Sequence, residues 1–241
     1  MKKLFFFVVV PTILFAYSPK ATSQAELKLV NTIKLKISEP SGITVYNKHL
    51  YIVSDRNGTI YKCSLNGKTI ERIRTKQSDL EGITIDPISK QIIVINEAKR
   101  SLIYLNFDGT LIKKQKIKGK QKNPNSGLEG ICFDTSKNTM YALNEKAPKQ
   151  LLKLNTNGKI IAKNNLNFSN DLSGICFDKK TNSLWVISDE SKAIYRISKK
   201  GILQKKYNTG IVKGEGIAFY KNLIYIVSDD LKILFVFEMI N

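Results

Sequence analysis

The chain has 241 residues, 42% of them hydrophobic and 24% charged, which suits one sizeable core and excludes a disordered polymer. Lysine and arginine outnumber the acids 39 to 20, a formal charge of +19, but 34 of those 39 cations are lysines scattered through turns and hairpins. The scatter, with no arginine cluster or RNA-binding signature, reads as a basic solvated surface; a nucleic-acid or anionic-envelope partner is the alternative, and nucleic acid is not expected.

The chain opens with Lys2 and Lys3, an apolar run from Leu4 to Phe15, and a polar stretch ending Ser23-Gln24-Ala25. That order predicts a secretory signal over residues 1–25, since about a dozen apolar residues fall short of the roughly 20 that a membrane span needs. Cleavage near Ala25 and export to the periplasm or beyond are expected, with an uncleaved segment as the one route to a membrane anchor. Residues 26–241 then form a single domain. Cys63, Cys132 and Cys176 make an odd count without CxxC spacing, so neither a metal cluster nor a disulfide framework is expected.

From there the chain repeats itself. "PSGITV" (40–45), "DLEGITID" (79–86), "GLEGICFD" (127–134), "DLSGICFD" (171–178) and "GEGIAF" (214–219) align on Gly42, Gly82, Gly130, Gly174 and Gly216, spaced 40, 48, 44 and 42 residues apart. A second phrase keeps step: "YIVSDR", "IVINEA", "YALNEK", "WVISDE" and "YIVSDD" place Asp55, Glu97, Glu145, Asp189 and Asp229 at spacings of 42, 48, 44 and 40. Within each unit, short runs of β-branched and aromatic residues alternate with turn residues, and Asn66-Gly67, Asp108-Gly109, Asn157-Gly158 and Lys200-Gly201 predict hairpins between the third and fourth strands. Four strands at a period of 40–45 predict an all-β, five-bladed β-propeller. The last unit holds three strands before the chain ends, so "ELKLVNTIKLKI" (26–37) is expected to close the ring as the outer strand of the last blade.

In such a blade the start of the inner strand and the end of the second strand share a face. The two phrases therefore bring together 13 of the 20 acids in a basic protein. Crowded carboxylates repel unless a cation sits among them or their pKa values rise. Oxygen donors with no His or Cys nearby suit calcium, which takes roughly 6–8 oxygens. The metal candidates are Glu81, Glu129 and Glu215, closest to the axis, followed by Glu97, Glu145, Asn96 and Asn144. For the second phrase, capping of turns by Asp and Asn is an equal alternative. The glycine after each acid lets the inner strands approach the axis.

The phrases "LEGITID", "GLEGICFD", "DLSGICFD…LWVISDESKAIYRI" and "GEGIAF" resemble the SdiA-regulated, YjiK-type proteins, distant relatives of NHL-repeat propellers, over roughly residues 27–240. The resemblance implies a five-bladed propeller in an exported or envelope-attached bacterial protein, with a bound calcium ion and no defined reaction. It also implies, for some relatives, a phytase-like phosphatase role. Ser41 and Ser173 stand where other units have Glu, so an asymmetric site is expected rather than a full acidic ring. The expected function is a calcium-binding, monomeric module that takes a small-molecule or protein ligand on its acidic face. A metal-dependent phosphoester hydrolase is the alternative. The one histidine, His49, belongs to the opposite face, so a hydrolase would have to rely on carboxylates, the ion and Lys146 or Lys192.

Overall fold

Strands dominate because nearly every apolar run is short, β-branched and flanked by a turn. The computed structural model describes residues 26–121 and 126–240, so the expected signal over 1–25 lies outside the described residues. Strand β1 (Glu26–Lys34) comes first. Blade one follows as β2 (Pro40–Tyr46), β3 (His49–Ser54), β4 (Thr59–Cys63) and β5 (Thr69–Arg74), and blade two as β6 (Leu80–Asp86), β7 (Gln91–Asn96), β8 (Ser101–Leu105) and β9 (Leu111–Lys116). Blade three is β10 (Leu128–Asp134), β11 (Thr139–Asn144), β12 (Gln150–Leu154) and β13 (Ile160–Asn165). Blade four is β14 (Gly174–Asp178), β15 (Ser183–Ser188), β16 (Ala193–Ile197) and β17 (Leu203–Asn208). The last blade holds β18 (Gly214–Tyr220), β19 (Leu223–Ser228) and β20 (Ile233–Ile240).

Each blade is a four-stranded antiparallel sheet, and β1 completes the fifth in the order β1-β20-β19-β18. The expected closure is therefore observed: Glu26 pairs with Ile240 and Lys34 with Ile233, with a bulge between Leu29 and Asn31. Closing the ring this way leaves no blade short of a strand.

The core lies in five wedges, one between each pair of neighbouring blades. Leu35, Ile52, Tyr225 and Leu234 fill the wedge between blades five and one, and Trp185, Ile187, Ile217 and Ile224 fill the one between four and five. Trp185 is fully buried and stacks on Tyr207 at 5.3 Å between centroids.

The hairpins fall at the expected pairs, between the third and fourth strands of blades one to four. Gly67, Gly109, Gly158 and Gly201 have φ of 76–87°, but the residues before them do not enter the left-handed region. Each glycine instead ends a four-residue turn, as where Gly67 N–H donates to Ser64 O at 2.9 Å, and the register slips by one residue at Lys62/Cys63. This is a turn followed by a glycine bulge, and it needs positive φ at one residue only.

Candidate metal centre

The inner strands β2, β6, β10 and β18 each break register at the repeated phrase, between Pro40 and Ile43, Leu80 and Ile83, Leu128 and Ile131, and Gly214 and Gly216. A bulge turns the local side chain away from the regular pleat. Ser41, Glu81, Glu129 and Glu215 sit at these bulges and line one mouth of the axial channel. That mouth is a hollow of about 140 Å³, bordered also by Glu39, Asp55 and Asp229. Beneath it the channel narrows to about 10 Å³, the space of one water, where Gly42, Gly82, Gly130, Gly174 and Gly216 bring the five inner strands together.

Beside the axis, Glu97 at the end of β7, Glu129 on β10 and Glu145 after β11 converge so that one carboxylate oxygen from each lies within 4.8 Å of the others. Glu97 accepts the Gly127 N–H at 2.9 Å. Glu145 Oε1 meets Lys146 Nζ at 3.0 Å, whereas its Oε2 is buried without a hydrogen-bond partner among the described residues. A buried carboxylate oxygen left bare beside two more carboxyls offers oxygen donors, a set that would suit a hard cation better than zinc.

Burial is the leading cause of the raised pKa of Glu81, to about 8, and of Glu97, to about 7; neighbouring carboxyls add to both, whereas the Ser41 hydroxyl and the Gly127 N–H oppose them. Glu215 is pushed up to about 7 by burial and then by Asp189. Glu129 is held well above the carboxylate range by burial and by Glu81, Glu97, Glu145 and Glu215. For acids raised in the folded state, the fold binds the extra protons, so their stabilising contribution is complete below about pH 4.5 and is lost as pH rises through 7–8. In chelator the protein is therefore expected to melt higher at pH 5.5 than at pH 8.5, as read by calorimetry. A flat or opposite trend would refute this electrostatic picture.

A family model for SdiA-regulated proteins matches residues 19–238. The chain belongs to the SdiA-regulated family. Its backbone is similar to that of a glutaminyl cyclase from Myxococcus xanthus, with TM-score 0.72 and 10% identity, covering 90% of this chain and 98% of that one. A gluconolactonase from Xanthomonas campestris gives 0.61 at 9% identity over 90% and 91% of the two chains. Virginiamycin B lyase from Staphylococcus aureus gives 0.54 at 17% over 84% and 67%. At these identities the likeness is one of fold alone. No curated protein matches the sequence.

Within this SdiA-regulated propeller the expected donors divide. Glu81, Glu129 and Glu215 share the axial hollow, and Glu97 and Glu145 join Glu129 beside it. Asn96 and Asn144 have their side-chain amides engaged within the chain. Asn96 gives its amide to Ser78 O at 2.6 Å and accepts the Lys99 N–H at 2.8 Å, and Asn144 donates to Lys146 O and Pro148 O while accepting from Arg100. Both asparagines lock loops, the alternative the sequence left open.

Several rim acids are likewise bound to the chain itself. Asp79 accepts the Ala98 N–H at 2.6 Å, Asp189 the Lys213 N–H at 2.6 Å, and Asp171 the Ser188 hydroxyl and the Glu190 N–H. Lys146 is held between Glu145 and Glu190 at 3.0 and 2.7 Å. His49 pairs with Tyr46 at the far end of β2, away from the acidic mouth.

Sequence reasoning missed Arg100. It is buried in blade two, reaches Asn144 of blade three and leaves its Nε without a hydrogen bond among the described residues. No neighbouring motif marks it. The closing Asp of three phrases, Asp86, Asp134 and Asp178, was also left unassigned; each caps the next turn through a backbone N–H two residues on, at 2.9 Å. Their recurrence before turn residues was the available signal.

Proposed function

We propose that this chain is an exported, calcium-binding propeller of the cell envelope that presents its acidic mouth to a small-molecule or protein ligand. The observation that carries the reading is the convergence of Glu97, Glu129 and Glu145 from two blades, with one buried oxygen left bare. Glu97, Glu129 and Glu145 would hold the ion, and Glu81 and Glu215 would face it across the mouth. When bound, calcium would supply positive charge to a ligand's oxygens. The protein's own part is to fix the carboxylates on rigid strands and keep apolar walls behind them. Export is supported by the order of charge and hydropathy over residues 1–25.

The hydrolase reading is weaker because the lysine nearest the trio is already paired with two carboxylates and no histidine lies at this mouth. One experiment separates the two. Calcium is titrated into the chelator-treated protein while melting temperature and turnover of a panel of phosphate monoesters are followed. A rise in melting temperature without turnover is expected. Metal-dependent turnover would replace the binding role by the hydrolase, and no thermal response to calcium would overturn both.

A further inference from the structure

The gathering of acids at one mouth leaves the flank of the propeller strongly basic, and the flank is not uniform. On β5 the pleat sends Ile73 into the wedge with blade two, so Arg72 and Arg74 face the opposite way, toward blade five. Arg72 pairs in register with Tyr61, and its guanidinium lies over that ring at 5.8 Å. Two hollows of about 330 and 340 Å³ meet at Arg72. Lys34, Lys36 and Lys68 line the first and Arg74 the second.

No carboxylate borders either hollow, and none of these five cations forms an ion pair with a carboxylate of the described residues. Lys34 donates to Leu231 O at 2.6 Å and keeps two protons free for another acceptor. The first hollow lies where the ring closes, since the hairpin at Gly67 packs against Ile33, Leu35 and Leu234, and the second continues from it along blade one.

The register puts a cation at the matching outer-strand position of three other blades: Lys114 opposite Ile103, Lys163 opposite Leu152 and Lys206 opposite Tyr195. In blade two Lys116, opposite Ser101, also repeats the position of Arg74, and in blade four Lys206 lies over the Tyr195 ring at 5.9 Å. The closure seam differs in using arginines at these positions. It has two of the chain's five arginines on one face of one strand, joined by three lysines, along two hollows that adjoin at Arg72.

We propose that this seam is a binding groove for a linear, phosphate-rich anion. Arginine forks take two oxygens of a phosphate at once, the row of cations matches a chain carrying charge at each repeat, and the threonines and asparagines of the walls can donate to bridging oxygens. The site is separate from the acidic mouth and does not depend on calcium.

Inorganic polyphosphate is the probe, and its binding to the full chain is measured by calorimetry in about 0.1 M salt, where exposed charges are screened beyond roughly 10 Å. The triple variant K68A/R72A/R74A is expected to weaken binding by on the order of tenfold or more, whereas K114A/K116A/K118A, which removes equal charge from blade two, changes it less than about twofold. R72K/R74K keeps the charge and most of the packing, and weakens binding several-fold because the forks are gone. The proposal is overturned by absence of binding, by equal losses in the two triple variants, or by unchanged affinity in both groove variants. Tighter binding of duplex DNA than of polyphosphate through the same residues would also overturn it, making the groove a nucleic-acid site.

Discussion

Replacing Glu129 with Gln is expected to abolish the calcium response while making the metal-free protein more stable at pH 8. Glu129 is the residue shared by the axial hollow and the carboxylate trio. Burial and the repulsion of Glu81, Glu97, Glu145 and Glu215 together disfavour its charge, and the substitution removes both. For the wild type, calcium at a hundred times its dissociation constant adds about 2.7 kcal/mol, and in a domain of this size each kcal/mol moves the melting temperature by about 2–4 °C. A rise of about 5–10 °C is therefore expected for the wild type and less than about 1 °C for Glu129→Gln. In chelator at pH 8 the order reverses, with the variant melting higher. At pH 4, below the ordinary glutamate value of 4.5, the carboxyl is largely protonated in the folded and unfolded chain and the two should melt more nearly alike. Calorimetry in calcium and in chelator at both pH values reads all three comparisons. A variant that still responds to calcium removes the trio as the metal site.

Gly130→Val is expected to be strongly damaging, although Gly130 has the most room of the five glycines at the waist. A Cβ at Gly130 would lie 2.8 Å from Ile175 N and 3.0 Å from the Gly174 backbone, atoms of the next blade that cannot turn aside as a side chain would. The same holds around the ring: a Cβ at Gly42 would lie 2.5 Å from Glu81 O, and one at Gly216 would lie 2.7 Å from Ser41 O. Pushing two blades apart at the axis opens every wedge outside it. The cost is about 3 kcal/mol or more, a fall of about 10 °C in melting temperature, and both mouths should deform together. Unfolding in urea with and without calcium would measure it. A Gly130→Val protein within about 0.5 kcal/mol of the wild type would show that the inner strands do not need this closeness.

The sequence displayed the blades plainly because each repeats two different phrases, and the physics of a propeller fixes their spacing. Gly42, Gly82, Gly130, Gly174 and Gly216 needed no coordinates to be placed on the inner strands. The closing strand was legible from the arithmetic of strands alone. What could not be read was the direction of individual side chains at the rim. Glu81, Glu129 and Glu215 occupy equivalent positions in the text, yet among the described residues the carboxylate trio forms only at Glu129, which lies between the longer Glu97 and Glu145, whereas Glu81 has Asp55 beside it and Glu215 has Asp189 and Asp229. Asn96 and Asn144 looked like donors, but an amide beside a tight loop finds backbone partners within a few residues, and those contacts are invisible in the pattern. The arginines of β5 were hidden for a related reason: a glance at composition sees scattered lysine, whereas the period-two pleat puts Arg72 and Arg74 on one side and Glu71 on the other.

The pairing of β1 with β20 also shapes how the molecule comes into being. Roughly 200 residues separate the two partners, so their union carries the largest loop-closure cost in the fold and comes late in folding. Until the eight-residue strand β20 has met β1, the assembled blades can be no more than an open crescent with bare edges. Latching β1 to β20 turns that crescent into a closed circlet.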